Sequence, residues 1–202
     1  MGLTAGVDLG GTKIAVGVVD DEGHVLAETR RPTPRRDAAA VEAAIVEVVN
    51  DLAADHPIEA VGIGAAGFVD AGRARVLFAP NLGWSDEPLR DAVQTGTGLP
   101  AVVENDANAA AWGEYRYGAG MGAEHLVVVT VGTGIGGGVV VHGRISRGGF
   151  GAAAEIGHLR MVPGGLPCGC GQLGCWEQYA SGHALVRVAR ALATERRAGR
   201  SQ

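Results

Sequence analysis

The stretch VDLGGTKI, residues 7–14, sets a glycine-rich turn between two apolar runs, and a similar stretch, VTVGTGI, occupies residues 129–135. Both stretches predict a strand, a tight turn that contains Gly and Thr, and a second strand. A strand–turn–strand unit that occurs twice in one chain indicates two similar lobes.

Strands and helices alternate after the first copy, which is typical of an α/β fold. In this part we predict strands at 5–11, 14–19 and 24–29, a helix capped by Asp37, a strand at 60–64, a short helix capped by Ser85 and ending near Gly96, a strand at 101–104 and a helix at 105–117. The second copy predicts strands at 126–131 and 135–141, then a cysteine-rich segment and a helix at about 183–197. The second lobe is therefore expected to be unfinished by roughly a hundred residues.

The composition is that of a globular protein. The chain has 202 residues, 47% of them hydrophobic and 19% charged, with a net charge of -5, which disfavours nucleic acid and anionic membranes as partners. No apolar run approaches the roughly 18 residues that a membrane-spanning helix needs. Residues 1–6 carry no basic signal-peptide region, and cleavage would destroy the turn that starts at Asp8, so we expect a cytoplasmic protein.

The two glycine-rich turns are candidate phosphate sites. Glycine lets backbone N–H groups approach an anion closely and adopt positive φ, and Thr12 and Lys13, the only lysine, add a hydroxyl and a charge. A carboxylate at Asp8 suits Mg²⁺, directly or through water. The alternative is a pair of ordinary hairpins. The turns match neither a P-loop nor a Rossmann fingerprint.

Asp106 is the candidate general base. The run Glu104-Asn105-Asp106 follows an apolar strand and opens a helix, and open α/β folds place their chemistry at such strand ends. Phosphoryl transfer to a hydroxyl needs a base within hydrogen-bond reach, and Asn105 could orient the acceptor. The alternative is helix capping, because Asn and Asp are preferred at helix N-termini.

A cluster of four residues predicts a structural zinc site. The spacing His-x9-Cys-x-Cys-x4-Cys is formed by His158, Cys168, Cys170 and Cys175. The alternative, three unrelated reduced cysteines, does not explain this spacing or the glycines between them. Glu155 and Glu177 flank the cluster, so a bound metal would fix two carboxylates and one imidazole as acceptors for vicinal hydroxyls.

These motifs together resemble the ROK family of sugar kinases and repressors, with matching order and spacing over nearly the whole chain. The motifs are DLGGTK (8–13), ENDAN (104–108), GTGIG (132–136), EIGH (155–158) and CGCGQLGCWE (168–177). Two further stretches, FGAAAE (150–155) and WEQYASG (176–182), resemble the actinobacterial glucokinase branch. The resemblance implies an actin-like ATPase (ribonuclease H-like) fold, with an N-terminal lobe at 1–112 and a partial C-terminal lobe at 113–202. It also implies that the family's final helix and much of its adenosine pocket are missing from this chain.

The resemblance implies transfer of phosphate from MgATP to the 6-hydroxyl of glucose, with Asp106 as the base. The implied sugar contacts are Asn81, Asn105, Asp106, Glu155, His158 and Glu177. The implied contacts to ATP phosphates and Mg²⁺ are Asp8, Gly10, Gly11, Thr12, Lys13, Thr133 and Gly134. Homodimers are common in the family. Repressors of the family carry a DNA-binding segment before the first turn, and only seven residues precede Asp8, so DNA binding is not expected.

Two alternatives stay open within this resemblance. The acceptor could be fructose, mannose or N-acetylglucosamine, because Glu155 and His158 serve several sugars in the family. The chain could also be a catalytically incomplete sugar-binding fragment. Polyphosphate as the donor is disfavoured, because those relatives generally lack the cysteine motif.

Overall fold

The computed structural model of the protein describes residues 2–34 and 37–198. Its elements follow in chain order as β1 (Leu3–Leu9), β2 (Lys13–Val19), β3 (Val25–Pro32), α1 (Ala38–Asp55), β4 (Ile58–Ala65), β5 (Phe68–Val69), β6 (Val76–Ala79), β7 (Trp84–Glu87), α2 (Leu89–Thr97), β8 (Ala101–Asn105), α3 (Asp106–Tyr117), β9 (His125–Val131), β10 (Ile135–Val141), β11 (Arg144–Ile145), a 3₁₀ turn (Ile156–His158), α4 (Glu177–Ala180) and α5 (Gly182–Ala198).

The first half of the chain builds a five-stranded mixed sheet in the order β3-β2-β1-β4-β8. β1 pairs antiparallel with β2 and parallel with β4, and β4 pairs parallel with β8. Alternate residues of β1, including Val7 and Leu9, are buried in one core with α1 and α2. Because strand side chains alternate between faces, this pattern directs one face of β1 to the core. The α/β prediction is confirmed.

The start of α1 agrees with the sequence. The side chain of Asp37 accepts a hydrogen bond of 3.0 Å from the Ala40 N–H, so it satisfies one of the unpaired donors of the first turn. The buried residues of α1, which include Val41 and Ile45, fall on one face at helical spacing.

The prediction that Ser85 caps a helix is wrong. Ser85 lies in β7, where it pairs with Phe78 of β6, and α2 begins only after Pro88. The local sequence has a capping residue, but burial of Trp84 (4% exposed) draws this stretch into a small sheet of order β5-β6-β7. Tertiary burial overrides a cap signal here, and Pro88 is tolerated because a helix start needs no N–H at that point.

The second copy of the repeat forms a separate sheet in the order β11-β10-β9. β10 contains Gly136, Gly137 and Gly138 in succession. A Cβ on Gly137 would lie 2.6 Å from Ile156 of the 3₁₀ turn, and one on Gly138 would collide with Ala111 of α3. Glycine is therefore required where α3 and the 3₁₀ turn press on the backbone of β10.

α3 links the two sheets, since it packs on β4 and β8 and also on β9 and β10. The predicted lobe boundary between residues 112 and 113 falls inside this helix. The division into lobes at 1–112 and 113–202 stays a prediction, and its ends, Met1 and residues 199–202, lie outside the described residues. Among the helices that the structure describes, none is long and apolar enough to cross a membrane.

Candidate functional site

One cavity of about 880 Å³ brings the predicted sugar and phosphate residues together. It lies where the ends of β1 and β8 face the second sheet and the cysteine-rich segment. Its lining includes Asp8, Gly10, Gly11, Thr12, Lys13, Asn81, Asn105, Asp106, Thr133, Gly134, Glu155, His158 and Glu177. Of the predicted metal ligands, His158, Cys168 and Cys170 also line it, whereas Cys175 is fully buried.

The first glycine-rich turn is the hairpin between β1 and β2. The Gly10 N–H donates to the Lys13 carbonyl at 3.0 Å. Thr33, only 6% exposed, secures the turn from outside: its hydroxyl donates to the Gly10 carbonyl at 2.7 Å, and its N–H donates to the Thr12 carbonyl at 3.1 Å. A turn held at both carbonyls keeps its remaining groups oriented for a ligand.

One reason given for the glycines of these turns is wrong. Gly10, Gly11, Gly132 and Gly134 all have φ outside the left-handed region. Close approach explains two of them instead, whereas a Cβ on Gly132 would have no atom within 4 Å. A Cβ on Gly11 would lie 3.0 Å from Cβ of Asn81, and one on Gly134 would collide with the Glu177 carboxylate.

The second turn is held by the cysteine-rich segment and by α5. Oε2 of Glu177 accepts a hydrogen bond of 3.0 Å from the Ile135 N–H. The Gly182 N–H, at the start of α5, donates to the Gly132 carbonyl at 2.8 Å. Glu177 therefore fixes the turn at 132–134 as well as lining the cavity.

Asp8, near the end of β1, and Lys13, the first residue of β2, both have side chains open to solvent. The Lys13 ammonium lies 3.9 Å from Oδ2 of Asp8, and the two side chains are 55% and 58% exposed. A loose, exposed pair of this kind contributes little stability, so both groups can turn to a ligand at low cost.

The start of α3 carries both the capping group and the candidate base. Oδ1 of Asn105 accepts a hydrogen bond of 3.0 Å from the Asn108 N–H, so Asn105 is the N-cap. Its amide donates to the Gly67 carbonyl at 3.1 Å and to Oδ1 of Asp106 at 3.2 Å. The capping alternative is thus correct for Asn105, which nevertheless lines the cavity.

Asp106 keeps one carboxylate oxygen for other partners. Its Oδ1 accepts hydrogen bonds from the Ala107 N–H at 2.9 Å and from the Asn105 amide. Among the residues that the structure describes, no side chain and no neighbouring backbone N–H donates to Oδ2. Burial raises the pKa of Asp106, and the charge of Asp8 raises it further, against the opposing Ala107 hydrogen bond. A raised pKa makes this carboxylate a better proton acceptor than an exposed aspartate.

The carboxylates of Asp106, Glu155 and Glu177 lie together where the predicted sugar contacts line the cavity. Burial, followed by the charges of Asp106 and Glu177, raises the pKa of Glu155 to about 7. The Glu155 backbone carbonyl accepts the His158 N–H at 3.0 Å, so the backbone of Glu155 is hydrogen-bonded to the 3₁₀ turn. Crowded acids of this kind are typical of functional sites.

The side chains of His158, Cys168, Cys170 and Cys175 converge, with their ligand atoms within 4.8 Å of one another. Sγ of Cys170 and Sγ of Cys175 lie 3.7 Å apart, and Sγ of Cys168 lies 3.5 Å from Nδ1 of His158. Tetrahedral zinc, with Zn–S of about 2.3 Å and Zn–N of about 2.0–2.1 Å, separates two sulfurs by about 3.8 Å and a sulfur and a nitrogen by about 3.6 Å.

Two distances in the cluster thus match a tetrahedral zinc site, and its other ligand atoms lie within 4.8 Å of one another. Burial raises the pKa of the Cys175 thiol, so a nearby cation would be needed to ionise it. Because Nδ1 of His158 faces the sulfurs, Nε2 remains for a partner outside the cluster.

Sequence reasoning missed three residues that shape the site. Thr33 secures the first turn, and Glu104 and Arg147 form an ion pair behind Asp106, with Arg147 Nη2 2.6 Å from Oε2 of Glu104. Glu104 stands inside the ENDAN motif and could have been noticed there. Thr33 and Arg147 have no local signal, because their partners lie 23 and 43 residues away.

Comparison with known proteins identifies similar chains. The family model described as ROK family matches residues 4–200. The glucokinase of Streptomyces coelicolor is 58% identical over 200 residues, which are 98% of this chain and 63% of that protein. The chain therefore spans less than two thirds of the length of this relative.

Two solved structures have the same fold. The ROK family glucokinase from Streptomyces griseus in complex with glucose and AMPPNP superimposes with a TM-score of 0.89 at 58% identity, over 98% of this chain and 64% of that one. The ROK hexokinase from Thermus thermophilus gives a TM-score of 0.82 at 42% identity, over 95% and 64%. The actin-like, two-lobe fold class predicted from the sequence is confirmed.

Proposed function

The chain belongs to the ROK family, and from this membership we propose that it provides the sugar site and phosphate turns of an ATP-dependent hexose kinase whose acceptor is glucose. The observation that carries the proposal is the single cavity lined by both glycine-rich turns, by Asp106 and by Glu155, His158 and Glu177. The similarity to a glucokinase solved with glucose and AMPPNP supports this choice of substrates.

In the proposed reaction Asp106 accepts the proton of the glucose 6-hydroxyl. Oδ1 is held by the Ala107 N–H and the Asn105 amide, so the carboxylate has one orientation and presents Oδ2 to the hydroxyl. The oxygen then attacks the terminal phosphorus of ATP, the bond to the leaving ADP breaks, and glucose 6-phosphate forms. Such catalysis is mainly positioning and charge stabilisation.

The phosphates of ATP lie, in this proposal, between the two glycine-rich turns. Lys13 and the backbone N–H groups of both turns face the anionic oxygens, and Thr12 and Thr133 donate from their hydroxyls. Asp8 would hold Mg²⁺, directly or through water, and the ion supplies positive charge that offsets the phosphate charge.

We assign zinc to the cluster of His158, Cys168, Cys170 and Cys175, on the distances given above. With four protein ligands the ion would have no open position, so its contribution would be structural. His158 would hold it through Nδ1 and offer Nε2 to a sugar hydroxyl, between the carboxylates of Glu155 and Glu177. Assembly as a homodimer stays a prediction from the family resemblance, and a cytoplasmic location stays a prediction from the N-terminal sequence.

The second candidate is a sugar-binding fragment without kinase activity. The observation that favours it is length, since the chain covers 63% and 64% of the two glucokinases compared. The predicted sugar contacts all line the cavity described here, whereas the family resemblance implies that much of the adenosine pocket lies outside this chain.

Calorimetry and product assays on the purified chain test the proposal. We expect glucose to bind and MgATP to phosphorylate it, with fructose, mannose and N-acetylglucosamine as weaker acceptors. Binding of glucose without binding of AMPPNP would support the fragment. Stronger phosphorylation of another hexose would identify that hexose as the acceptor. If none of the sugars binds, both candidate functions are overturned.

A further inference from the structure

Glu104, which is buried, forms an ionic link with Arg147, whose side chain is 30% exposed. It is the penultimate residue of β8, two positions before Asp106, and is only 8% exposed. Arg147 donates from Nε to its Oε2 at 2.7 Å and places Nη2 2.6 Å from the same oxygen. On the other side, Oε1 accepts the Asn108 side-chain amide at 3.2 Å.

Arg147 also closes the loop that carries Glu155. Its carbonyl accepts the Ala153 N–H at 3.1 Å, two residues before Glu155. The ion pair of Glu104 and Arg147 therefore connects the backbone segment that carries Asp106 to the segment that carries Glu155.

The backbone around this link is strained. Ala154, next to Glu155, has φ of 66°, and Arg73, whose Nε lies 3.5 Å from Oε2 of Glu104, has φ of 56°. Side chains other than glycine persist in the left-handed region only where their surroundings over-determine the backbone. The strain at Ala154 indicates that the backbone next to Glu155 is held by its surroundings, and the strain at Arg73 indicates the same beside Glu104.

A stabilising role alone does not account for the ion pair. Removing the Glu104 carboxylate from water costs energy that offsets much of its attraction to a guanidinium, so the pair is poor evidence of stabilisation, and a role in fixing geometry is the alternative. We propose that Glu104 and Arg147 are positioning residues that fix the separation of Asp106 and Glu155, and thereby the sugar affinity of the cavity. This inference rests on the proposed function, because it assigns a sugar to that cavity.

The experiment compares sugar binding by Glu104→Gln, Arg147→Met and the double variant, using the whole chain and glucose as the probe. The matched control is Arg75→Met, which removes a surface arginine that donates to Asp86 at the same 2.7 Å, away from the cavity. Each test variant is expected to weaken glucose binding about tenfold to a hundredfold, as for a small misplacement of binding groups. The double variant should bind no more weakly than the weaker single one, because the pair acts as a unit.

Two further measurements separate positioning from a general loss of structure. Arg147→Lys keeps the charge without the planar guanidinium and should restore part of the affinity lost in Arg147→Met. Hydrogen exchange should show faster exchange of amides 148–155 in Glu104→Gln, with amides of α1 unchanged.

The outcomes are distinct. Unchanged glucose affinity in the test variants, or equal weakening in Arg75→Met, overturns the positioning role. If the parent chain binds no sugar while amides 148–155 still lose protection in Glu104→Gln, the proposed function falls and the link between the two residues stands.

Discussion

Oε2 of Glu177 accepts the Ile135 N–H at 3.0 Å, so one carboxylate lines the cavity and also holds the glycine-rich turn at 132–134. Glu177→Ala should weaken both glucose and AMPPNP binding, because a buried N–H loses its acceptor and the turn is released. Glu177→Gln keeps an oxygen for Ile135 and should weaken only glucose binding. Calorimetry with each ligand checks this, and equal effects of Ala and Gln on AMPPNP would contradict it.

Asp106→Asn tests the base. The amide is isosteric and can still accept the Ala107 N–H, but it cannot take a proton from a hydroxyl. We expect the turnover number to fall about 10²–10⁴-fold, the usual contribution of a general base, with the dissociation constant for glucose changed only a few-fold. Steady-state kinetics of glucose phosphorylation measure this, with the exposed Asp55→Asn as the control. Turnover like that of the parent chain would exclude Asp106 as the base.

Cys170→Ser tests the zinc assignment. The parent chain should contain about one zinc per chain, and loss of a thiolate ligand should deplete it, lower the melting temperature and weaken glucose binding. Metal analysis by mass spectrometry and thermal unfolding provide the readouts. His142→Ala removes an exposed histidine outside the cluster and should keep its zinc. A parent chain that folds and binds glucose without zinc would contradict the assignment.

Glu42 on α1 makes stability depend on pH. Burial, then the charge and hydrogen bond of Glu87, raises the pKa of Glu42 from 4.5 to about 7. Its buried Oε1 has no hydrogen-bond partner, and protonation supplies a donor between the two carboxylates. Because the folded state holds this proton more tightly, the stabilisation is complete below about pH 4.5 and is lost as pH rises to about 7.

The free energy of unfolding should therefore decrease between about pH 5 and 7, and Glu42→Gln should make that decrease shallower. Some slope should remain, because the pKa of Glu155 is raised in the same direction. Urea unfolding at several pH values measures the slope. Asp55→Asn, at the exposed end of the same helix, should leave it unchanged, and a variant slope equal to that of the parent would refute the prediction.

Local signals in the sequence were enough for most of the fold. The cap at Asp37, the cap at Asn105 and the repeat around the two turns each depend on neighbours within a few residues. The metal cluster was equally accessible, because three of its four side chains lie between positions 168 and 175. In each case the interacting residues are close together in the sequence, so the pattern can be recognised from the sequence alone.

Features set by tertiary contacts were not predictable in the same way. Ser85 has the chemistry of a cap, but burial of Trp84 places it in a strand. Glu104 and Arg147, which form an ion pair, are 43 residues apart in the sequence, and no spacing rule predicts their contact. The positions of Glu155 and Asp106 relative to each other depend on such pairings.

β10 lines the cavity through backbone alone at Gly136 and Gly137, and α3 and the 3₁₀ turn leave no room for side chains at Gly136, Gly137 and Gly138. These three positions therefore tolerate only glycine, although glycine offers no functional group of its own. A library designed to change the acceptor sugar should leave these glycines fixed and diversify the loop between Arg147 and Glu155.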